Sequence, residues 1–311
     1  MGEMIFLQPV FKEVLWGGNK LRTMFGYSIP SDHTGEGWMI SAHPKGDCCI
    51  TEGTYKGKTL SWLWENHREL FGGLAGDVFP LLVKIIDAKD HLSIQVHPDD
   101  AYAAVHENGA LGKTECWYVL DCEPDSTIVV GHNAKTKEEL KSMIDEKRWM
   151  ELIRIRPLHK GDFFQINPGT VHAIRGGSVI LEIQQSSDIT YRLYDYDRLQ
   201  DGKPRELHLQ KSIDVIKCPY EEAAPDFHTE SGQGFTSTRL VTCPFYTVTR
   251  MQVSREAVFS QDQPFQMISV FEGEGTFDGK PVKKGMNFII PAGYGSYTVK
   301  GDLEFMVSGV K

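Results

Sequence analysis

The segment Leu92-Ser-Ile-Gln95-Val-His97-Pro98 carries the most chemically informative spacing in the chain. In a strand, residues two apart point to one face, so Gln95 and His97 project together with Ser93 one step behind. Glu115 follows in Gly112-Lys113-Thr-Glu115-Cys-Trp-Tyr118, and His172 in Pro168-Gly-Thr-Val-His172. Two neutral imidazoles and a carboxylate, with an amide oxygen nearby, form a hard-to-borderline donor set with room for water or substrate. That set suits a catalytic Zn2+ and equally suits Fe2+ or Mn2+.

Each of these residues also has a structural explanation when taken alone. A strand histidine is more often a satisfied packing residue than a ligand, His97-Pro98 is a natural strand end, and Glu115 reads as a surface charge. His43, His91, His106 and His132 fit that packing role better. What separates the first group is its order: Gln-x-His, then Glu, then Pro-Gly-x-x-His, in a chain that reads as β throughout.

The elements that must position these groups are short. Thirty glycines and fifteen prolines punctuate runs rich in Val, Ile, Phe and Tyr. Such runs include Val78–Ile86, Trp117–Leu120, Ser126–Val130, Asp162–Ile166, Val179–Gln184, Tyr246–Val253 and Gln266–Phe271. Short strands between turn residues indicate a sandwich or barrel rather than alternating βαβ units. Three segments read as helix: Thr59–Leu70, Pro98–Glu107, and Thr136–Leu152, the last opening with capping-box spacing from Thr136 to Glu139. The polar segment 219–234 reads as a linker.

A faint repeat spans that linker. Gly161-Asp-Phe-Phe-Gln-Ile-Asn-Pro-Gly-Thr-Val-His172 resembles Gly285-Met-Asn-Phe-Ile-Ile-Pro-Ala-Gly-Tyr-Gly-Ser296. Each is a Gly turn, an apolar strand, and a Pro/Gly turn entering another strand. Ser296 stands where the first copy has His172. The expectation is a mainly β protein of two related barrels, 1–218 with a metal-type site and helical insertions, and 235–311 without a metal.

Composition narrows the classes of function. With 33 Lys and Arg against 42 Asp and Glu among 311 residues, the formal net charge is −9. Such a field attracts neither nucleic acid nor an anionic membrane, while leaving room for a local pocket that takes a small anion. No apolar stretch approaches the ~18–20 residues of a spanning helix. The N-terminus lacks a signal-peptide pattern, and six irregularly spaced cysteines without a CxxC pair do not form a secreted disulfide scaffold. These features lead to the expectation of a reduced, cytoplasmic protein, monomeric or homodimeric, acting on a small molecule.

The ligand set resembles the metal site of the cupin superfamily, and the surrounding words resemble the type I phosphomannose isomerase family more closely still. Those words are Trp16-Gly-Gly18, Gly35-Glu-Gly-Trp-Met-Ile-Ser-Ala-His-Pro44, Leu81-Leu-Val-Lys84, Leu92–Pro98, Lys113–Tyr118, Pro168–Ala173 and Ser187-Asp-Ile-Thr-Tyr-Arg192. They span roughly residues 16 to 198, and the length matches the short bacterial form. The resemblance implies two cupin-like jelly-roll barrels and a zinc-dependent aldose–ketose isomerase interconverting D-mannose 6-phosphate and D-fructose 6-phosphate. It places one Zn2+ on Gln95, His97, Glu115 and His172, the catalytic arginine on Arg192, and substrate contacts on Lys84, Ser93, Lys113 and Glu182. Gln95 is either a ligand or a substrate contact. The large helical domain of longer members is missing, so any phosphate contact made by that domain must arise elsewhere here.

Isomerisation moves a proton between C1 and C2 of an opened sugar, with negative charge developing on both oxygens. A Lewis-acidic cation and the planar Arg192 guanidinium would stabilise that charge. Lys84, Lys113 and Ser93 offer a positive patch for the phosphate. Glu182 would carry the proton if burial raised its pKa. Arg192 could instead pair with Asp188 or Asp195. Two other readings of the chain stay open: an Fe(II) cupin dioxygenase, and a non-catalytic sugar-phosphate-binding cupin.

Overall fold

The computed structural model describes residues 2–200, 202–224 and 226–310. The chain is mainly β, with 45% strand and 14% helix, organised around three large antiparallel sheets. No helix among the described residues is long and apolar enough to cross a membrane.

One sheet has six strands in the order Phe163–Ile166, Glu115–Cys122, Ser178–Gln185, Leu81–Ala88, Thr34–Ile40 and Val10–Glu13. Facing it are five strands: Ile153–Pro157, Thr127–His132, His172–Ile174, Ile94–Val96 and Tyr191–Tyr194. The two inner faces share a core that includes Trp117, Val119, Ile180, Ile128, Val130 and Ile174. The central strands Leu81–Ala88 and Ser178–Gln185 are buried at every position, which is why their sequences read as nearly unbroken apolar runs.

The outer face of the six-stranded sheet explains the second half of the burial. Val83, Ile85, Leu181 and Ile183 pack there against the Leu60–Asn66 helix and against Met267, Ile289 and Met306 from the C-terminal sheet, in one continuous cluster. That third sheet has nine strands, of which Thr247–Gln261, Gly295–Gly309 and Gln266–Phe277 form the centre. Its own second core holds Phe277, Phe288, Val299 and Phe305.

The mainly β class expected from the sequence is present, but the expected pair of separate cupin-like barrels is not resolved, and no sheet among the described residues closes on itself. The N-terminal strand Ile5–Gln8 pairs with Asn287–Ile290 and with Cys49–Ile50, so N-terminal residues extend the C-terminal sheet. Within the segment 219–234, residues His228–Gly232 form a strand paired with Phe235–Thr242. The repeat is visible as strand–turn–strand in both places, Phe163–Ile166 to His172–Ile174 and Asn287–Ile290 to Gly295–Gly309.

Helices cover the ends and the back of the five-stranded sheet. Thr59 caps Leu60–Asn66 by accepting from Trp62 N, and Asp99 caps Asp100–His106 by accepting from Tyr102 N. The helix expected over Thr136–Leu152 is two pieces, Lys137–Asp145 and Trp149–Leu152. Thr136 accepts from Glu139 N as the capping spacing requires, while Glu139 reaches back to Lys135 N. The break comes at Lys147, which is left-handed at φ 57°, with Arg148 N donating to the Met143 carbonyl; this is the wrap-around that ends many helices.

Candidate functional site

Two transverse rows of side chains, one on each inner face, build the site. On the five-stranded sheet, His172 pairs in register with Gln95, and Gln95 with Arg192. On the six-stranded sheet, Trp38, Lys84, Glu182 and Trp117 lie opposite one another across four strands. Glu115 sits on the next row of that face, opposite Gln184, with His97 directly after the strand Ile94–Val96. Ile94 and Val96 turn away into the apolar cluster behind the sheet, so alternation alone sends Ser93, Gln95 and His97 to the cavity side.

His97, Glu115 and His172 converge as the sequence implies, with their ligand atoms all within 4.8 Å of one another. His97 Nε2 and His172 Nε2 are 3.1 Å apart. Each lies 3.5 Å from a Glu115 oxygen. A tetrahedral centre with bonds of about 2.0–2.1 Å has edges of about 3.3–3.4 Å, a value that the three observed separations bracket. The His172 Nδ1–H donates to the Thr170 carbonyl at 2.8 Å, which leaves its Nε2 lone pair facing inward, the arrangement seen in metal-binding histidines. Burial, together with Lys113, holds the His97 imidazole well below its ordinary pKa, and burial brings His172 down to about 4. Both are neutral electron-pair donors at physiological pH, and the trio fits a divalent cation.

Gln95 stands beside them but presents its amide nitrogen, 3.3 Å from His172 Nε2, while its oxygen accepts from Ser93 Oγ at 3.3 Å. Turning the amide over would aim the oxygen into the cluster. Lys113 Nζ lies 2.9 Å from Glu115 Oε2. Burial and the nearby Glu182 push the Glu115 carboxyl up against the pull of Lys113.

The two lysines are internally neutralised. Lys84 Nζ lies 3.3 Å from Glu182 and 3.8 Å from Glu36, and Lys113 lies 3.9 Å from Glu182 as well as against Glu115. Two cations thus face three carboxylates, so these lysines do not form the free positive patch expected for a phosphate. The expected rise in the Glu182 pKa is also absent. Burial does push it up, but Lys113, Lys84 and the hydrogen bond from Trp117 Nε1 at 2.9 Å more than offset that and hold the carboxyl below its ordinary value.

Glu36, Trp38, Lys84, Gln95, Lys113 and Glu182 open onto one cavity of about 200 Å3, lined also by Ser93, Arg192 and Arg205, with His172 and Glu115 reached through their neighbours Gln95 and Lys113. Arg192 is not paired with Asp188 or Asp195. Asp188 is taken by Lys45 and His43, and Asp195 by Arg198 and Arg205. Arg192 donates instead to the Glu206 carbonyl at 2.9 Å, and its buried Nε has no partner among the described residues.

Sequence reasoning missed Glu36, Trp38 and Arg205. The first two stand two apart in the word Gly35–Pro44, and that spacing was a usable signal; nothing in the sequence around Arg205 marks it. His91, His106 and His132 do pack structurally: His91 accepts from Gly176 N, His106 stacks on Tyr102, and His132 meets the Lys217 carbonyl.

Comparison with known proteins agrees with this geometry. Residues 4–148 match the family described as phosphomannose isomerase type I, catalytic domain, and residues 236–310 match the mannose-6-phosphate isomerase cupin domain. A mannose-6-phosphate isomerase of Bacillus subtilis (strain 168) is 51% identical over 311 residues, covering 98% of each chain. One from Streptococcus mutans is 47% identical over 99% of this chain and 98% of its own. The crystal structure of the mannose 6-phosphate isomerase from Bacillus subtilis superposes with a TM-score of 0.97 at 48% identity, over 99% of this chain and 100% of that one. With identity at this level running the full length of the chain, it belongs to the type I phosphomannose isomerases.

Proposed function

We propose that the chain is a zinc-dependent isomerase that interconverts D-mannose 6-phosphate and D-fructose 6-phosphate. The observation that carries this reading is the convergence of His97, Glu115 and His172 beside a polar cavity in a chain of this family. A zinc ion held by these three, with Gln95 as the fourth donor once its amide is turned, would act as a Lewis acid toward the oxygens on C1 and C2.

The remaining chemistry falls to side chains. Glu182 is held ionised by Lys84, Lys113 and Trp117, the form a group must have to accept a proton from carbon. Lys84, Ser93 and Lys113 line the cavity where sugar hydroxyls would sit and can hydrogen-bond them. Arg192, permanently cationic, presents unpaired N–H groups to developing oxyanion charge. Thr170 keeps His172 in its ligating tautomer.

Residues 1–218 form the catalytic unit in this reading, and 235–311 a second, cupin-like unit without a metal, joined through 219–234. That division is functional, since the strand Ile5–Gln8 belongs to the C-terminal sheet. A metal-free role for the second unit is supported by the absence of histidine after His228 and by the exposure of Ser296.

The test is an assay of purified protein with mannose 6-phosphate before chelation, after it, and after zinc is restored. Fructose 6-phosphate should form, disappear and return. A zinc-replete protein that forms none refutes the reading, and an iron-loaded protein that consumes oxygen would assign the site to a dioxygenase.

A further inference from the structure

Charge is unevenly distributed along the cavity. At the metal-type end, Lys84 and Lys113 are each bracketed by carboxylates and carry no surplus charge. Two strands along the row from His172, Arg192 and Arg205 line the cavity, and Arg198 stands beside Arg205 on the shared carboxylate of Asp195. Three cations against this one buried anion leave a positive surplus. Glu206 adds only a screened counter-charge to Arg192, its side chain being 83% exposed and 4.0 Å from His208.

The arrangement is also pre-organised. Asp195 is 4% exposed and grips Arg205 through two parallel bonds, Nε to Oδ2 at 2.7 Å and Nη2 to Oδ1. Arg198 donates to the same carboxylate and to the Asp195 carbonyl. This fork fixes the plane of the Arg205 guanidinium and leaves Nη1 for a ligand. Arg192, whose Nε is buried and unpartnered among the described residues, lines the same cavity. Burial and the neighbouring Arg205 both depress the Arg192 guanidinium, as expected for cations gathered without enough counter-charge.

We propose that Arg205 binds the phosphate of the substrate, that Asp195 is the positioning residue holding Arg205, and that C1 and C2 therefore lie toward the His97–Glu115–His172 end. This assignment rests on the isomerase reading above. A phosphate monoester carries about −1.5 to −2 at neutral pH, which such a surplus attracts, and a fixed guanidinium fork suits its geometry. It also supplies, from the strand Tyr191–Tyr194 and the hairpin Leu199–Gln200/Lys203–Pro204, the phosphate contact that longer family members could draw from an additional domain.

The experiment compares metal-replete parent, Arg205→Gln, Arg205→Lys, Asp195→Asn and Lys84→Gln proteins by steady-state kinetics and by competitive inhibition with inorganic phosphate. Loss of a charged hydrogen-bonding pair predicts that Arg205→Gln raises KM about 10–100-fold and weakens phosphate inhibition in parallel, with kcat and zinc content little changed. Arg205→Lys should recover part of the loss, and Asp195→Asn should move KM in the same direction by less. Unchanged KM and inhibition in Arg205→Gln would overturn the proposal, as would a larger loss of phosphate inhibition in Lys84→Gln. If the parent proves inactive on mannose 6-phosphate yet calorimetry shows phosphate binding that Arg205→Gln weakens, the anion site stands and the isomerase reading falls.

Discussion

Replacing Lys84 by methionine tests whether the buried charges at the metal-type end form a balanced network. The ammonium lies 3.3 Å from Glu182 and 3.8 Å from Glu36, with a side chain only 7% exposed. At an effective dielectric of about 20, those separations correspond to gross attractions of ~5 and ~4 kcal/mol, largely offset by the cost of removing the ions from water. What the variant loses is that compensation: Glu182 keeps only the more distant Lys113 and its Trp117 hydrogen bond. Breaking a buried pair from one side typically costs about 3–5 kcal/mol, which for a chain of this size lowers Tm by roughly 10 °C.

The sign of the pH dependence follows from the same network. In the parent, the Glu182 carboxyl lies below its unfolded value. Its contribution is therefore full above the unfolded pKa of about 4.3 and is lost as pH falls through the folded pKa. In Lys84→Met the carboxyl should rise above its unfolded value, so the folded state binds the extra proton and stability should increase as pH is lowered from 8 to 5. Denaturant unfolding of the parent, Lys84→Met and Lys84→Met/Glu182→Gln across that range measures it. The double variant should recover more than half of the loss at pH 8, because the amide still accepts from Trp117. A single variant within about 1 kcal/mol of the parent, or a double variant no better than the single, would refute the idea that these carboxylates are held as ions.

His172→Ala should lose bound metal by elemental analysis together with activity, whereas Ser296→Ala, exposed on the C-terminal sheet, should leave both unchanged; retained stoichiometric metal in His172→Ala would remove that residue from the ligand set. Arg192→Ala should lower turnover about 10²–10³-fold, the usual range for a lost oxyanion partner, while zinc stays bound, since Arg192 touches none of the three ligand atoms; a metal-free variant would show that it supports the metal site instead.

The residues of the candidate site were legible because their chemistry leaves a local trace. Gln95 and His97 stand two apart on one strand, Glu115 opens another, and His172 follows a Pro-Gly turn, so both residue type and facing direction are written in short words. The strands themselves were legible for the same reason, being runs of branched and aromatic residues between glycines. The balance of charge inside the cavity was not. Lys84 and Glu182 are almost a hundred positions apart in sequence, and only the pairing of Leu81–Ala88 with Ser178–Gln185 sets them side by side, turning a presumed phosphate patch into an internal ion network.

The sharing of strands between the two halves of the chain escaped the sequence in the same way. Ile5–Gln8 reads as a strand in any context, but its partner is Asn287–Ile290, chosen by the apolar cluster that both complete. Periodicity along a strand records which face is buried, since that depends on neighbours two residues away. Which strands become neighbours, and hence which charges meet and where a surplus such as that of Arg192, Arg198 and Arg205 accumulates, depends on contacts across hundreds of residues. Those contacts exist only once the sheets have packed.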